Sequence, residues 1–320
     1  MGQHPGCILG VTQVALTSLS VLTSPLVHIG WRRPTNSYFC AYLGSIPYWV
    51  GLATTLAQAG FVVSVVNAAQ AHHFAKALLK RAKTDAIDAQ TLTQLAARLE
   101  PTPWTPPPAI YTELQQRLAQ RDTLMTLRQQ VRNQRHALQH LPVVIASVLE
   151  RMEALIATFD AQIAVVEQEI EQVLSQDAAW ATTATLLLSS TGIGLLTAAW
   201  LLVTTLNFTV CATAEEATAY AGLAPHPYES GTSVRGGAAI GHGGTGRLRT
   251  ALYLATLSAA QHNPHIKPFY ERLRAAGKPK KVARCAAARK LLHLAWAVAT
   301  KGVAFDPTYQ TQHACSGRSA

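Results

Sequence analysis

The sequence predicts an α/β segment, then a long helical hairpin, then a mainly helical C-terminal region. Three observations carry this. Phe61-Val62-Val63-Ser64-Val65-Val66 is a run of mostly β-branched residues between two helical stretches, the composition of a buried strand. Pro101, Pro103, Pro106, Pro107 and Pro108 crowd one short stretch, which marks a stiff joint and a boundary. Beyond it, apolar residues recur at alternating steps of four and three, the spacing of packed helices. The chain has 320 residues, enough for two domains and a sizeable core.

Residues 1–47 fit no domain. Before Lys76 the only charged side chains are Arg32 and Arg33, and no acidic residue precedes Asp85. Ile8 to Ile29 is apolar enough to raise a membrane reading. Its Ser and Thr content, its lack of a preceding basic region, and Pro25 and His28 weigh against one. A frameshifted or recently acquired start would give this composition.

Residues 48–105 read as one unit. Trp49 to Ala59 forms a short helix closed by Gly60, the strand follows, and Ala69 to Arg81 forms a second helix. In Lys83-Thr84-Asp85-Ala86-Ile87-Asp88-Ala89, Thr84 caps a third helix. Asp85 and Asp88 lie three apart, so on a helix both carboxylates face one way. Paired carboxylates suit Mg²⁺. The plainer alternative is that they occupy a first turn where the helix dipole favours negative charge, and spacing alone favours that alternative.

Residues 106–177 predict two helices, Ile110 to His140 and Val143 to Ser175. In the second, Met152, Ile156, Phe159, Ile163, Val166, Ile170 and Val173 form a heptad seam, expected in a coiled-coil hairpin or dimer contact. In the first, Arg117, Arg121, Arg128, Arg132 and Arg135 share a narrow sector. Such a stripe either lies along a nucleic-acid backbone or pairs with acids of the partner helix, and the two readings stand even.

Residues 183–305 form the third region. Thr191-Gly192-Ile193-Gly194 precedes a helix from Leu195 to Thr204, so Gly192 and Gly194 are candidates to offer backbone N–H groups to phosphate. A tight turn between packed helices explains them equally well. Glu215 to Tyr220 is a short helix leading into Ala221-Gly222-Leu223-Ala224-Pro225. Then comes Tyr228-Glu229-Ser230-Gly231-Thr232-Ser233, followed by Arg235, six glycines from Gly236 to Gly246, Arg247 and Arg249. Glycines admit close backbone approach and arginines clamp phosphate oxygens. A serine among them is a candidate nucleophile on a phosphodiester; the bland alternative is a polar surface loop. Leu248 to Gln261 and Val282 to Thr300 read as helices, with Lys278, Lys280 and Lys281 in a basic turn between them. Residues 306–320 are expected to be a poorly ordered tail.

Net charge is +10 at neutral pH, and its distribution is uneven. Residues 231–320 hold fourteen Lys and Arg against Glu271 and Asp306; the other 230 residues hold 13 basic and 15 acidic groups, a net −2. The asymmetry points to a polyanion, nucleic acid ahead of anionic membrane. Five scattered cysteines show no zinc-ligand spacing and fit a reducing cytoplasm.

Taken together the ordered segments resemble the DEDD-type transposases and site-specific recombinases of bacterial insertion sequences, the group that includes the Piv invertase and the bridge-RNA-guided recombinases. The segments are Leu56 to Asn67, Lys83 to Ala89, Thr191 to Gly194, Ala219 to Pro225, Tyr228 to Ser233, Gly243-Gly244 with Arg247-Leu248-Arg249, Asn263-Pro264 through Phe269-Tyr270, Gly277 to Lys281 and Ala288 to Leu292. The resemblance implies an RNase H-like (RuvC-like) N-terminal domain whose Asp, Glu, Asp, Asp tetrad holds Mg²⁺. It also implies a coiled-coil hairpin and a C-terminal transposase domain with a catalytic serine. By position Asp85 and Asp88 match the last two acids, and Ser230 matches the nucleophile with Ser233 as fallback. Where the family carries its Glu, this chain reads Ala41-Tyr42-Leu43-Gly44, and the first Asp is also missing. The RNase H-like domain is therefore expected to be truncated or degenerate, its first strands unrecognisable, and its metal site incomplete.

The implied chemistry is DNA strand exchange, with Arg235, Arg247 and Arg249 neutralising charge on the phosphate. Implied partners are DNA, a guide RNA facing the Arg117 to Arg135 stripe, and further copies of the chain as a homodimer or homotetramer. Two other readings stand beside it: a catalytically inactive remnant that keeps nucleic-acid binding, and a membrane-associated protein.

Overall fold

The computed structural model describes residues 38–42, 48–79, 84–230, 234–241 and 243–308. The sequence readings placed on Ile8 to Ile29, Arg32, Lys83, Ser233 and residues 309–320 lie outside them. The chain divides into two compact units, Met1–Pro106 and Pro107–Ala320.

In the first unit, β1 (Tyr38–Tyr42) pairs in parallel with β2 (Val62–Val66), Tyr38 opposite Val62 and Tyr42 opposite Val66. The crossover between them contains α1 (Tyr48–Gln58). Strand β1 falls within residues 1–47, the stretch that the sequence leaves unassigned. Gly60 makes the turn into β2 at φ +86°, a left-handed conformation open to glycine. Strand β2 is buried on both sides. Val63 packs with Ala53, Trp49, Leu52 and Leu56, while Val66 packs with Ala71, Leu92, Leu95 and Ala96 of the next two helices. Those are α2 (Ala68–Ala77) and α3 (Asp85–Leu99). Asn67 caps α2 by accepting from the Ala69 N–H at 2.8 Å. The proline run does more than join units. Trp104 N–H donates to the Val63 carbonyl at 2.6 Å, Ser64 Oγ donates to the Pro101 carbonyl at 2.9 Å, and the Trp104 ring meets Trp49 edge-on at 5.8 Å. Its first half therefore lies against β2.

The second unit begins with α4 (Ala109–Leu138) and α5 (Ala146–Gln176), which pack along one another. Ile156, Ile163, Val166, Ile170 and Val173 of the heptad seam are buried, and Ile110, Leu114 and Leu118 of α4 share a core with Val166, Ile170 and Val173. The seam thus closes within one chain. Then come α6 (Ala178–Leu188) and α7 (Leu195–Thr204). Helix α7 buries Ala198, Ala199, Leu201, Leu202 and Val203, which its nearly all-apolar sequence requires. After α8 (Ala214–Tyr220) the chain forms an antiparallel hairpin of β3 (Pro225–Ser230) and β4 (Val234–Ile240). The alternative of a polar surface loop does not hold for Pro225–Ser230 and Val234–Ile240, which are paired strands. Three helices finish the unit: α9 (Gly246–His262), α10 (Ile266–Ala275) and α11 (Lys280–Lys301). Helix α11 packs against α6, α8, α9 and α10, burying Ala283, Ala287, Ala288, Leu291, Leu292 and Ala295. Small residues along this face let four neighbours approach it.

No helix of the described residues is long and apolar enough to cross a membrane.

Candidate nucleic-acid interface

The β3–β4 hairpin grows from a tightly built root. Thr213 Oγ1 caps α8 by accepting from the Glu216 N–H at 3.2 Å, and the helix ends at the Ala221-Gly222-Leu223 turn. Gly222 has φ +66° and Gly244 has φ +76°. A Cβ on Gly222 would sit 2.3 Å from the Gly243 carbonyl oxygen. One on Gly244 would sit 2.4 Å from the Gly222 nitrogen and 2.6 Å from the Ala219 carbonyl oxygen. The backbones before β3 and after β4 are therefore in direct contact, and the Thr245 N–H donates to the Tyr220 carbonyl at 2.7 Å. Arg249 ties both sides: its Nη1 donates to the carbonyls of Gly222 and Gly241, each at 3.1 Å. These glycines make room for protein backbone, where the sequence had suggested room for phosphate. Arg249 therefore spends one guanidinium nitrogen on holding the hairpin root together.

At the other end of the hairpin, Ser230 is the last residue of β3 and pairs with Val234. Glu229 pairs with Arg235 and Tyr228 with Gly236, with a register shift between His226 and Tyr228. At about 3.3 Å per strand residue, Ser230 stands some 16 Å along the strand from Pro225. The side chains of Ser230 and Arg235 lie outside the described residues, as does Ser233.

Gly192 faces protein as well. Its φ is +104°, and a Cβ there would lie 2.5 Å from the Ala259 Cβ on α9. Asn263, completely buried, fastens the same turn: Nδ2 donates to the Thr191 carbonyl at 2.9 Å, while Oδ1 accepts from the N–H groups of His265 and Ile266. The packed-turn reading holds for Gly192. Gly194, exposed at the α7 N-cap, has open space around it.

The arginine stripe takes the partner-helix alternative. Arg117 Nε pairs with Glu169 at 3.2 Å, Arg121 Nε with Glu167 at 2.6 Å, Arg128 and Arg132 with Asp160, and Arg135 with Glu153 at 3.7 Å. Residue numbers fall on α5 as they rise on α4, so the pair is antiparallel. Of the two readings of Arg117, Arg121 and Arg128, contact with nucleic acid or pairing with acids of the partner helix, the ion pairs fit the second, because each guanidinium has a carboxylate of α5 beside it. Asp160, between two guanidinium groups, is held below the usual carboxylate range, chiefly by its hydrogen bond to Arg128.

Exposed cations remain elsewhere. Arg247 is 63% exposed and reaches Asp122 of α4 at 2.9 Å through Nη1. Lys278, Lys280 and Lys281 are exposed around the Gly277 turn between α10 and α11. Among the described residues no carboxylate pairs with these three lysines.

The acidic half of the expected site is less complete. Thr84 Oγ1 accepts from the Ile87 N–H at 3.3 Å, which starts α3 at Asp85 and places Asp85 and Asp88 in its first turn. Among the described residues no group of three or more His, Cys, Asp or Glu is placed so that it could hold a metal ion. Two carboxylates in one turn leave most of the coordination of a hard cation unsupplied, so these residues do not by themselves fit Mg²⁺.

Residues 184–271 match the Transposase IS116/IS110/IS902 family, and residues 43–142 match the IS110-type DEDD transposase family. Over 260 residues the chain is 30% identical to the pilin gene-inverting proteins of Moraxella lacunata and Moraxella bovis, an alignment covering 81% of this chain and 79% of each relative. An insertion element IS110 protein from Streptomyces coelicolor is 36% identical over 120 residues, 38% of this chain and 29% of that protein. Two family matches in chain order and a relative aligned over most of both chains lead to one conclusion: this protein belongs to the IS110/IS116 family of transposases.

Proposed function

We propose that the protein binds DNA through its basic second unit and exchanges DNA strands with Ser230 as nucleophile. The observation that carries this reading is the hairpin. A serine at the far end of a two-stranded projection, whose root is locked by Arg249 and two glycine contacts, can be presented to a backbone while its support stays fixed. The Ser230 hydroxyl attacks phosphorus, the P–O3′ bond breaks, and the hydroxyl proton ends on the departing 3′-oxygen. The protein is then joined to a 5′-phosphate as a phosphoserine ester. A 3′-hydroxyl from a new partner strand attacks the same phosphorus and returns the proton to Ser230. Arg235 and Arg247 lie in the segment that would oppose charge developing on the phosphate oxygens. Relatives named as gene-inverting proteins support a rearrangement of DNA. An RNase H-like first unit fits the parallel β1–α1–β2 arrangement. DNA synapsis requires more than one copy, and a guide RNA is an additional partner in this reading.

A nicked suicide DNA substrate tests the assignment. The intact chain should accumulate a covalent DNA adduct on the Tyr228–Arg235 peptide, and Ser230→Ala should reduce it by at least about 10³-fold. An adduct of undiminished yield in Ser230→Ala sinks the assignment.

A second reading rests on one fact: no acidic residue precedes Asp85. Under it the chain binds DNA but does not cleave it. The same assay separates the two, because this reading expects binding with no adduct at any divalent-cation concentration.

A further inference from the structure

A cavity of about 320 Å³ opens beside helices α10 and α11, lined by Pro264, His265, Pro268, Phe269, Arg272 and Lys290. Its chemistry is one-sided. Lys290 Nζ lies 4.8 Å from the Phe269 ring centroid, and the Arg272 guanidinium carbon lies 5.4 Å from the same centroid. Two cations therefore converge on one ring. No lining residue is acidic, and among the described residues neither cation pairs with a carboxylate. The ring quadrupole compensates part of that charge, and an anion would compensate the rest. Burial, and then the neighbouring Arg272, push the Lys290 ammonium below its ordinary value. The opposite charge of an incoming anion would offset both effects.

The cavity is built on fixed parts. Asn263 sets the first turn of α10 by accepting the His265 and Ile266 N–H groups. The His265 ring stands edge-on to Phe305 at 5.4 Å, with Nε2 3.3 Å from the Asp306 carbonyl oxygen. Pro264 and Pro268 add walls with no backbone donor to spend on water. A stacked nucleobase would need the Phe269 ring that the two cations already approach. A tetrahedral oxyanion needs only the donors.

We propose that the α10–α11 cavity is a phosphodiester-binding site in which Arg272 and Lys290 together hold one backbone phosphate of the nucleic-acid substrate. This rests on the DNA-binding reading above. The site lies outside the hairpin, so it contributes affinity and register and takes no part in bond breaking.

Binding by the full chain should be measured by fluorescence anisotropy across a salt series, with duplex DNA, single-stranded DNA and RNA of one sequence run in parallel. The double variant Arg272→Gln/Lys290→Gln should lower the log–log salt slope by about one ion, since one phosphate is lost, and weaken binding roughly tenfold. Lys290→Arg should keep the slope. Arg151→Gln, an exposed charge on α5, serves as the control for net charge and should also keep it. A loss with any one nucleic acid supports the site and names its ligand. An unchanged slope with all three overturns it, as does a loss of two ions, which would mean separate phosphates. If the unaltered chain binds none of the three, the DNA-binding reading itself falls and takes this site with it. A readout that needs no variant guards against misfolding: bound nucleic acid should slow reductive methylation of Lys290 several-fold relative to Lys301. Equal rates at the two lysines would overturn the site.

Discussion

Glycine at Gly222 and Gly244 answers a steric demand of the hairpin root. Both adopt left-handed φ, and at both a Cβ would fall under 3 Å from backbone atoms that cannot swing aside. Alanine at either position should cost about 1–2 kcal/mol from the left-handed conformation alone, and more from displaced backbone. Thermal unfolding should show a clearly lowered midpoint for Gly222→Ala and Gly244→Ala. The comparison is Gly246→Ala, where the nearest atom is the flexible end of Arg249 at 3.8 Å and φ is ordinary; that substitution should be close to neutral. Equal midpoints for all three would refute the packed root. The sequence marked these glycines as a motif but not their purpose, because a phosphate cradle and a backbone crossing make the same local demand. Only the long-range partner, distant in the chain, tells them apart.

At the scale of elements, the helical pair was the most legible part, because a sustained heptad repeat is hard to satisfy with anything but packed helices. The hairpin was the least. Val234-Arg235-Gly236-Gly237-Ala238-Ala239-Ile240 has little of the branched and aromatic content that marks strands, so pairing with β3 carries what propensity does not. Strand β1, Tyr38-Phe39-Cys40-Ala41-Tyr42, does carry aromatic strand formers and was hidden instead by the unusual composition around it. Helix α10 escaped notice because Pro268 falls in its first turn, where proline is tolerated. The helical pair also makes a pH prediction. The Asp160 carboxyl is depressed in the folded state, so its contribution is present above the unfolded value of about 4 and is lost as pH falls through the lower folded value. Asp160→Asn should lower the unfolding midpoint at neutral pH, and the two curves should converge in acid. Asp160 is 42% exposed, so the gap should be small. A gap that widens toward low pH would contradict the ion-pair assignment.

For the whole molecule, the question is which unit carries nucleic-acid binding. The large core cluster is drawn entirely from residues 110–295, and it joins the helical pair to the helices that root the hairpin and form the α10–α11 cavity. The basic excess belongs to the same unit, with fourteen of the 27 Lys and Arg after residue 230. The first unit has two smaller clusters around β2, sealed in part by Trp104 from the proline run. A fragment spanning 107–308 therefore keeps its whole core together with every exposed cation assigned above. It should unfold in one cooperative transition and bind DNA with a salt slope within about one ion of the full chain's. Covalent joining of DNA is the property that should separate the two proteins if acids of the first unit assist Ser230. A fragment that folds but loses the salt-dependent binding would place the DNA surface in residues 1–106. That outcome would remove the hairpin from the centre of the function proposed for it.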